Sequence, residues 1–272
     1  MALTFQRAVR DGLVVLPLFL IAVMVAVVCL VNPAERPFSV GDRSISYPLA
    51  TAEAYPRPRV FLHSELLPVL LMMIWGWRRK FSGRELGYTI NAFAMGIISS
   101  ALIVEVLKKV VGRLRPDFLA RCKPVTDSLT GLVTCSGNPH VIMQGRQSFA
   151  SSHASDAVAG WGFLILFVYG TLSTRSRTNP WILCLLMLFS VPALVISVSR
   201  ITDNRHHTED VIGGGLIGLG TAVLWYRVYF YPPKGHTTSS TSTTKDVQPR
   251  GAPYSVLDPE VAAQAATAKY EV

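Results

Sequence analysis

Residues 199–210 read SRITDNRHHTED, and they stand between two long apolar runs, residues 181–198 before them and 211–231 after. A charged stretch in that setting marks a point where two membrane-crossing helices meet water. If the second run is helical from its start, His206 and Asp210, four residues apart, share one face of its first turn. A carboxylate one turn beyond a histidine can hold one ring nitrogen, fix the tautomer and leave the other nitrogen free to attack. Arg200 adds a planar fork of donors suited to a phosphate. The same residues also fit a plain charged connection between spans, so the choice falls to the rest of the chain.

Of 272 residues, 50% are hydrophobic and only 16% are charged, too apolar for an ordinary soluble domain of this size. The polar residues do not form a basic stripe with interleaved aromatics, so nucleic acid is not an expected partner. The formal net charge is +9. Beyond Pro232 the basic residues Lys234, Lys245, Arg250 and Lys269 are matched by Asp246, Asp258, Glu260 and Glu271, so the whole excess belongs to the first 232 residues. On a membrane protein such an excess meets anionic headgroups, a phosphorylated substrate or the rule that sets orientation.

Six spans are expected, at residues 13–31, 61–77, 88–107, 154–172, 181–198 and 211–231. The first lacks a small-x-small cleavage site and is longer than a signal-peptide core, so it reads as a retained span. Residues 32–59 read as an exposed loop and residues 112–148 as a long polar segment. Asn91 and Glu105, inside the third span, fit structural pairing within the bundle better than catalysis. Five glycines, Gly213, Gly214, Gly215, Gly218 and Gly220, allow close approach along the last span. The domain plan is therefore 1–232, an all-α polytopic bundle, followed by 233–272, a disordered polar tail. Six crossings put both termini on one side, together with Arg7, Arg10, Arg78, Arg79, Lys80 and Arg84. That side is the cytosol by the positive-inside rule. Cys122 and Cys135 flank one polar loop; they form a disulfide if it faces an oxidising lumen and stay as thiols otherwise.

Two further stretches share the membrane face of residues 199–210. KKVVGRLRPDF, residues 108–118, ends the third span with Lys108 and Arg115 about two helical turns apart. SFASSHAS, residues 148–155, opens the fourth span and sets Ser151, Ser152 and His153 at a helix N-terminus, where free N–H groups bind anions.

K-x6-R-P, then S-x-H before a span, then S-R-x5-H-x3-D, in that order, resembles the lipid phosphate phosphatases, also called type 2 phosphatidic acid phosphatases. That family shares its motifs with bacterial acid phosphatases and vanadium haloperoxidases. The resemblance covers roughly residues 10–232. It implies a six-helix membrane bundle with its active site at one face, lumenal or extracellular. It also implies a metal- and cofactor-independent hydrolase that takes a lipid phosphate through a phosphohistidine intermediate. His206 would be the nucleophile, Asp210 its orienting carboxylate, and His153 the group that protonates the leaving alkoxide and then activates water. Lys108, Arg115 and Arg200 would hold the phosphoryl oxygens, with the Ser151 hydroxyl and the Ser152 N–H. Phosphatidate, lysophosphatidate, diacylglycerol pyrophosphate and sphingoid-base phosphates are the candidate substrates. The alternatives are an isoprenoid diphosphate phosphatase and a non-catalytic lipid-phosphate-binding membrane protein.

The second motif departs from the family's P-S-G-H, reading Ala150-Ser151-Ser152-His153. A side chain in place of glycine narrows the approach to a phosphate. Asp156, one turn beyond Ser152, puts a negative charge beside an anion site, where none is expected. Arg113 fits either the site or a headgroup, and His207, about 100° around the helix from His206, fits a supporting role.

Overall fold

Polar caps, more than hydropathy, set where the helices begin. Ser82 and Glu85 form a reciprocal capping box at the start of α4 (Gly83–Val111), and Gly112 ends it in the left-handed conformation, φ 58°. The structure, a computed structural model, describes residues 2–230. Before α4 come α1 (Ala2–Cys29), then α2 (Arg57–Phe61) and α3 (Leu67–Arg78), joined by a π-helical turn, Leu62–Leu66. After it come α5 (Phe118–Cys122), the hairpin β1 (Pro124–Thr126) and β2 (Val133–Cys135), and α6 (Pro139–Gly145). The chain then runs through α7 (Ser152–Thr171), α8 (Thr174–Arg177), α9 (Pro180–Leu188), α10 (Val191–Thr202) and α11 (Thr208–Phe230).

Five helical stretches are long and apolar enough to cross a membrane: Arg57–Arg78, Gly83–Val111, Ser152–Thr171, Pro180–Thr202 and Thr208–Phe230. The first expected span, 13–31, overlaps α1 and runs two residues past its end; the described apolar part of α1, Leu16–Cys29, is shorter and compatible with a sixth crossing. Each of the five stretches starts one to five residues earlier than its apolar run, because first turns such as Thr208-Glu209-Asp210 are polar. The expected tail, 233–272, lies outside the described residues.

α7 is the axis of the bundle. Of its most apolar window 72% is buried, against 28–33% for the other four stretches. Around it Phe93, Phe163, Phe167, Tyr226 and Phe230 pack mostly edge-to-face, with Phe93–Phe163 at 5.7 Å and Phe163–Tyr226 at 5.9 Å. Outward faces stay apolar, as at Leu194, Val198, Leu216 and Leu224, which suits lipid contact. The α11 glycines act as expected: a Cβ on Gly214 would meet the Ser151 carbonyl oxygen at 2.3 Å, and one on Gly218 the Ser155 oxygen at 2.2 Å. Glu105 pairs with Lys108 at 2.6 Å, and Asn91 accepts from the Tyr229 hydroxyl, so both expected pairings are present.

The segment 112–148 is more than a polar linker. Leu114, Phe118 and Cys122 bury against Ile45, with Phe38 and Ile142 beside them, as a second small core over one end of the bundle. A buried Arg121–Asp117 pair, both bonds 2.7 Å, sits under it. Cys122 and Cys135 form a disulfide at the base of the hairpin. The preceding loop, largely exposed as expected, is nevertheless pinned: Ala34 N–H donates to Lys109 O at 2.8 Å and Tyr47 N–H to Pro116 O at 2.9 Å.

Candidate active site

The ends of α4, α10, α2, α7 and α11 converge beneath this cap on a cavity of about 260 Å³. Lys108, Arg115, Ser152, His153, Arg200 and His206 all line it. Three segments far apart in sequence thus meet at one bundle end.

Backbone bonds set the meeting. Ser151 N–H donates to Asp210 O at 3.0 Å, tying the start of α7 to the start of α11. Ser148 N–H donates to Arg113 O at 2.9 Å, and Arg115 N–H to Gly145 O at 2.8 Å, which fix the chain after α4 beside the chain before α7.

His206 is buried, and its Nδ1 lies 2.7 Å from the Ser148 carbonyl oxygen. A carbonyl only accepts, so Nδ1 carries the proton and Nε2 keeps its lone pair. The expected grip by Asp210 is looser than the spacing implies: its nearest oxygen is 3.9 Å from Nδ1, a charge contact beyond hydrogen-bond reach. Asp210 is instead taken up by Ser148 Oγ at 2.6 Å, Arg113 at 2.8 Å, and His207 through its N–H at 2.9 Å and Nδ1 at 3.2 Å. Its hydrogen-bonded link to His206 runs through Ser148, whose hydroxyl donates to it and whose carbonyl meets His206 Nδ1. Arg113 and His207 thus both contact the Asp210 carboxylate. Burial pushes the His206 imidazole down to about 3; Asp210 opposes that shift, and the charges of Arg115 and Lys108 add to it.

Lys108 Nζ reaches Glu105 at 2.6 Å and Ser152 Oγ at 3.0 Å. Arg200 spends its fork on Glu53 and Asp203, each at 2.8 Å. Arg115, pushed down to about 10 by burial and by Arg121 yet still charged at neutral pH, has a buried Nε with no partner. Ser151 Oγ and Arg205 Nε are unpartnered too, three of the five such buried side-chain atoms among the described residues. Two of these three, on Arg115 and Arg205, belong to cavity-lining residues, and buried unpaired donors there suit an anion. Ser151, fully buried, does not line the cavity itself. The first turn of α7 has no side-chain cap, so its N–H groups stay open to an anion. His153 Nε2 lies 3.0 Å from the Tyr55 carbonyl oxygen.

Five lining residues fall outside the expected set: Glu53, Pro56, Arg57, Gln144 and Arg205. One signal for Arg57 exists in the sequence. Asp156 falls on the helix face of Ser152, and a carboxylate buried there requires a cation. Arg57 supplies it at 2.7 Å. Among the described residues no group of three or more His, Cys, Asp or Glu side chains is arranged to hold a metal ion.

A model of the PAP2 superfamily matches residues 89–234, more than half of the chain. A Schizosaccharomyces pombe protein named "Probable diacylglycerol pyrophosphate phosphatase 1" is 36% identical over 218 residues, 76% of each chain. Diacylglycerol pyrophosphate phosphatase 1 of Saccharomyces cerevisiae is 34% identical over 74% of this chain and 73% of its own. Lipid phosphate phosphatase 2 of Arabidopsis thaliana is 32% identical over 82% and 78%. No solved structure gives a significant match. With the matched region running through three of the four segments that line the cavity, the chain belongs to the PAP2 superfamily.

Proposed function

We propose that this protein is a membrane-embedded phosphatase that releases inorganic phosphate from lipid phosphates, with His206 as nucleophile. The observation that carries this is the His206–Ser148 bond, which leaves Nε2 unprotonated in a cavity lined by five cations, Arg57, Lys108, Arg115, Arg200 and Arg205. Three relatives carry names that act on the same class of substrate, diacylglycerol pyrophosphate or lipid phosphate.

In this mechanism Nε2 attacks phosphorus, the bond from phosphorus to the lipid oxygen breaks, and His153 gives that oxygen its proton. His153 then takes a proton from water, whose oxygen attacks the phosphohistidine; the P–N bond breaks and phosphate leaves. Lys108, Arg115 and Arg200 offset charge spread over the three phosphoryl oxygens, the largest demand of such a transfer. Ser152 N–H, in the first turn of α7, adds a donor. With Nε2 of His153 engaged by Tyr55 O, Nδ1 is the position that exchanges the proton. No step calls for a metal or cofactor.

The same proposal puts both termini in the cytosol and the site on the lumenal or extracellular face. The Cys122–Cys135 disulfide beside the site supports that orientation, since such bonds persist in oxidising compartments. The test is phosphate release by membranes holding the protein, with and without excess EDTA. The panel holds phosphatidate, lysophosphatidate, diacylglycerol pyrophosphate, a sphingoid-base phosphate and farnesyl diphosphate. EDTA-resistant release that disappears in His206→Ala is expected. Binding of these lipids without turnover would replace the enzyme with a lipid-phosphate-binding protein.

A further inference from the structure

The cavity holds more positive charge than one phosphoryl group uses. Lys108, Arg115 and Arg200 already match its three oxygens. Arg205 is held by Glu53 at 3.1 Å. Arg57 is different, because it sits at the mouth: its side chain is 57% exposed, whereas those of Lys108 and Arg200 are 7% and 1% exposed.

Two departures in the second motif converge on this arginine. Asp156, whose side chain is 6% exposed, pairs with Arg57 NH1 at 2.7 Å. Ser152 Oγ accepts from Arg57 NH2 at 3.1 Å and from Lys108 Nζ at 3.0 Å. The serine that stands where the family pattern has glycine thus bridges a deep cation and an outer one. The carboxylate that looked out of place beside an anion site fixes the outer one. These bonds use two of five guanidinium N–H donors and leave the others to a ligand.

The side of the cavity on which Arg57 lies follows from the chain. Tyr55, two residues earlier, holds His153 through its carbonyl oxygen, and His153 is the proposed proton donor to the leaving group. Arg57, at the mouth and two residues from the carbonyl that holds His153, is thus assigned to the leaving-group side, with Ser152 Oγ linking it to Lys108 on the phosphoryl side. An alkoxide leaving from a monoester takes one proton and carries no further charge. A leaving group that is itself a phosphate keeps anionic oxygens, and a fixed arginine fork suits them.

We infer that Arg57, fixed by Asp156 and Ser152, binds the phosphate that stays on the lipid when the terminal phosphoryl group of a lipid diphosphate is transferred, and so tunes the enzyme toward diphosphates. This rests on the phosphatase function proposed above. His206 Nε2 bonds to the terminal phosphorus, and the bond from that phosphorus to the bridging oxygen breaks. The electron pair passes to the lipid monophosphate, whose charge Arg57 offsets while His153 supplies a proton. Water then frees inorganic phosphate from His206. Arg57 touches substrate in this scheme; Asp156 is a positioning residue.

The test compares kcat/KM for diacylglycerol pyrophosphate and for phosphatidate, using the full chain in mixed micelles. Arg57→Ala is expected to lower the diphosphate-to-monophosphate ratio at least about tenfold, the loss of a charge-assisted hydrogen bond. Because that variant strands a buried carboxylate, Arg57→Ala/Asp156→Asn is measured beside it and is expected to give the same low ratio. Asp156→Asn alone and Ser152→Gly shift the ratio the same way by less, without a matching fall in thermal midpoint. A ratio within twofold of wild type in both the single and the double arginine variant, with folded protein, overturns the inference and leaves the phosphatase standing. Wild-type protein that releases phosphate from neither lipid overturns both.

Discussion

Ser148 presents its backbone carbonyl oxygen to Nδ1 of His206 at 2.7 Å across 58 residues of chain. Its hydroxyl meanwhile donates to Asp210 at 2.6 Å, and its own N–H is anchored on Arg113. One serine thus divides the work usually given to a carboxylate: its carbonyl sets the tautomer, and its side chain takes up the acid.

The first prediction follows. Where a carboxylate alone fixes a catalytic histidine, its amide replacement costs about 10⁴-fold through the wrong tautomer. Here the carbonyl remains after Asp210→Asn, so the loss in kcat is expected to stay within about a hundredfold, while His206→Ala abolishes turnover. The two variants assayed side by side check this. Equal losses would show that Asp210, and not Ser148, orients the ring.

The pH response has a defined sign. The native His206 imidazole titrates at about 3, below the ordinary histidine value of 6.5, because burial disfavours its charged form. Between those values the unfolded chain binds a proton that the native chain does not. Stability is therefore fully present above about pH 6.5 and falls as pH drops toward 3, by at most about 1.4 kcal/mol per pH unit. Thermal midpoints in detergent, measured from pH 7.5 to 4.5, should fall more steeply for wild type than for His206→Gln. Parallel slopes would mean that His206 titrates normally.

How much of this was legible varies by element. The α7, α10 and α11 ends that carry His153, Arg200 and His206 were readable because polar motifs interrupt apolar runs, and a span must begin and end at the membrane face. Asp210 was readable as a neighbour but not as a partner, since four-residue spacing fixes a helix face and leaves open whether a carbonyl arrives first. Ser148, Glu53 and Tyr55 act through backbone atoms or from a loop with no periodicity, and neither leaves a mark in composition. The second core, built from Ile45, Leu114 and Phe118, joins segments about 70 residues apart, so no local window contains it.

The disulfide gives a prediction about compartment. Cys122 and Cys135 close a short loop, and such a crosslink contributes about 3 kcal/mol by restricting the unfolded chain. Protein purified without reductant should resist maleimide at both residues and accept it after dithiothreitol. Cys122→Ser/Cys135→Ser should have a lower thermal midpoint and lower turnover, because the hairpin lies in the cap over the cavity. Ready labelling before reduction would place the loop in a reducing compartment and reverse the proposed orientation.

The glycines of α11 separate a packing requirement from mere helix flexibility. A Cβ at Gly214 would lie 2.3 Å from the Ser151 carbonyl oxygen, a backbone atom that cannot swing aside, whereas one at Gly220 meets no atom within 4 Å. Gly214→Ala must therefore push α11 away from the start of α7, at a cost of about 1–3 kcal/mol. It also stretches the Ser151–Asp210 backbone bond that seats Ser152 and His153 against His206. Turnover should fall along with the thermal midpoint. Gly220→Ala should hold both or raise the midpoint slightly, since alanine restricts the unfolded chain and favours the helix. If the two alanine variants behave alike in melting and in phosphate release, close contact between α11 and α7 is not what holds the two histidines in place.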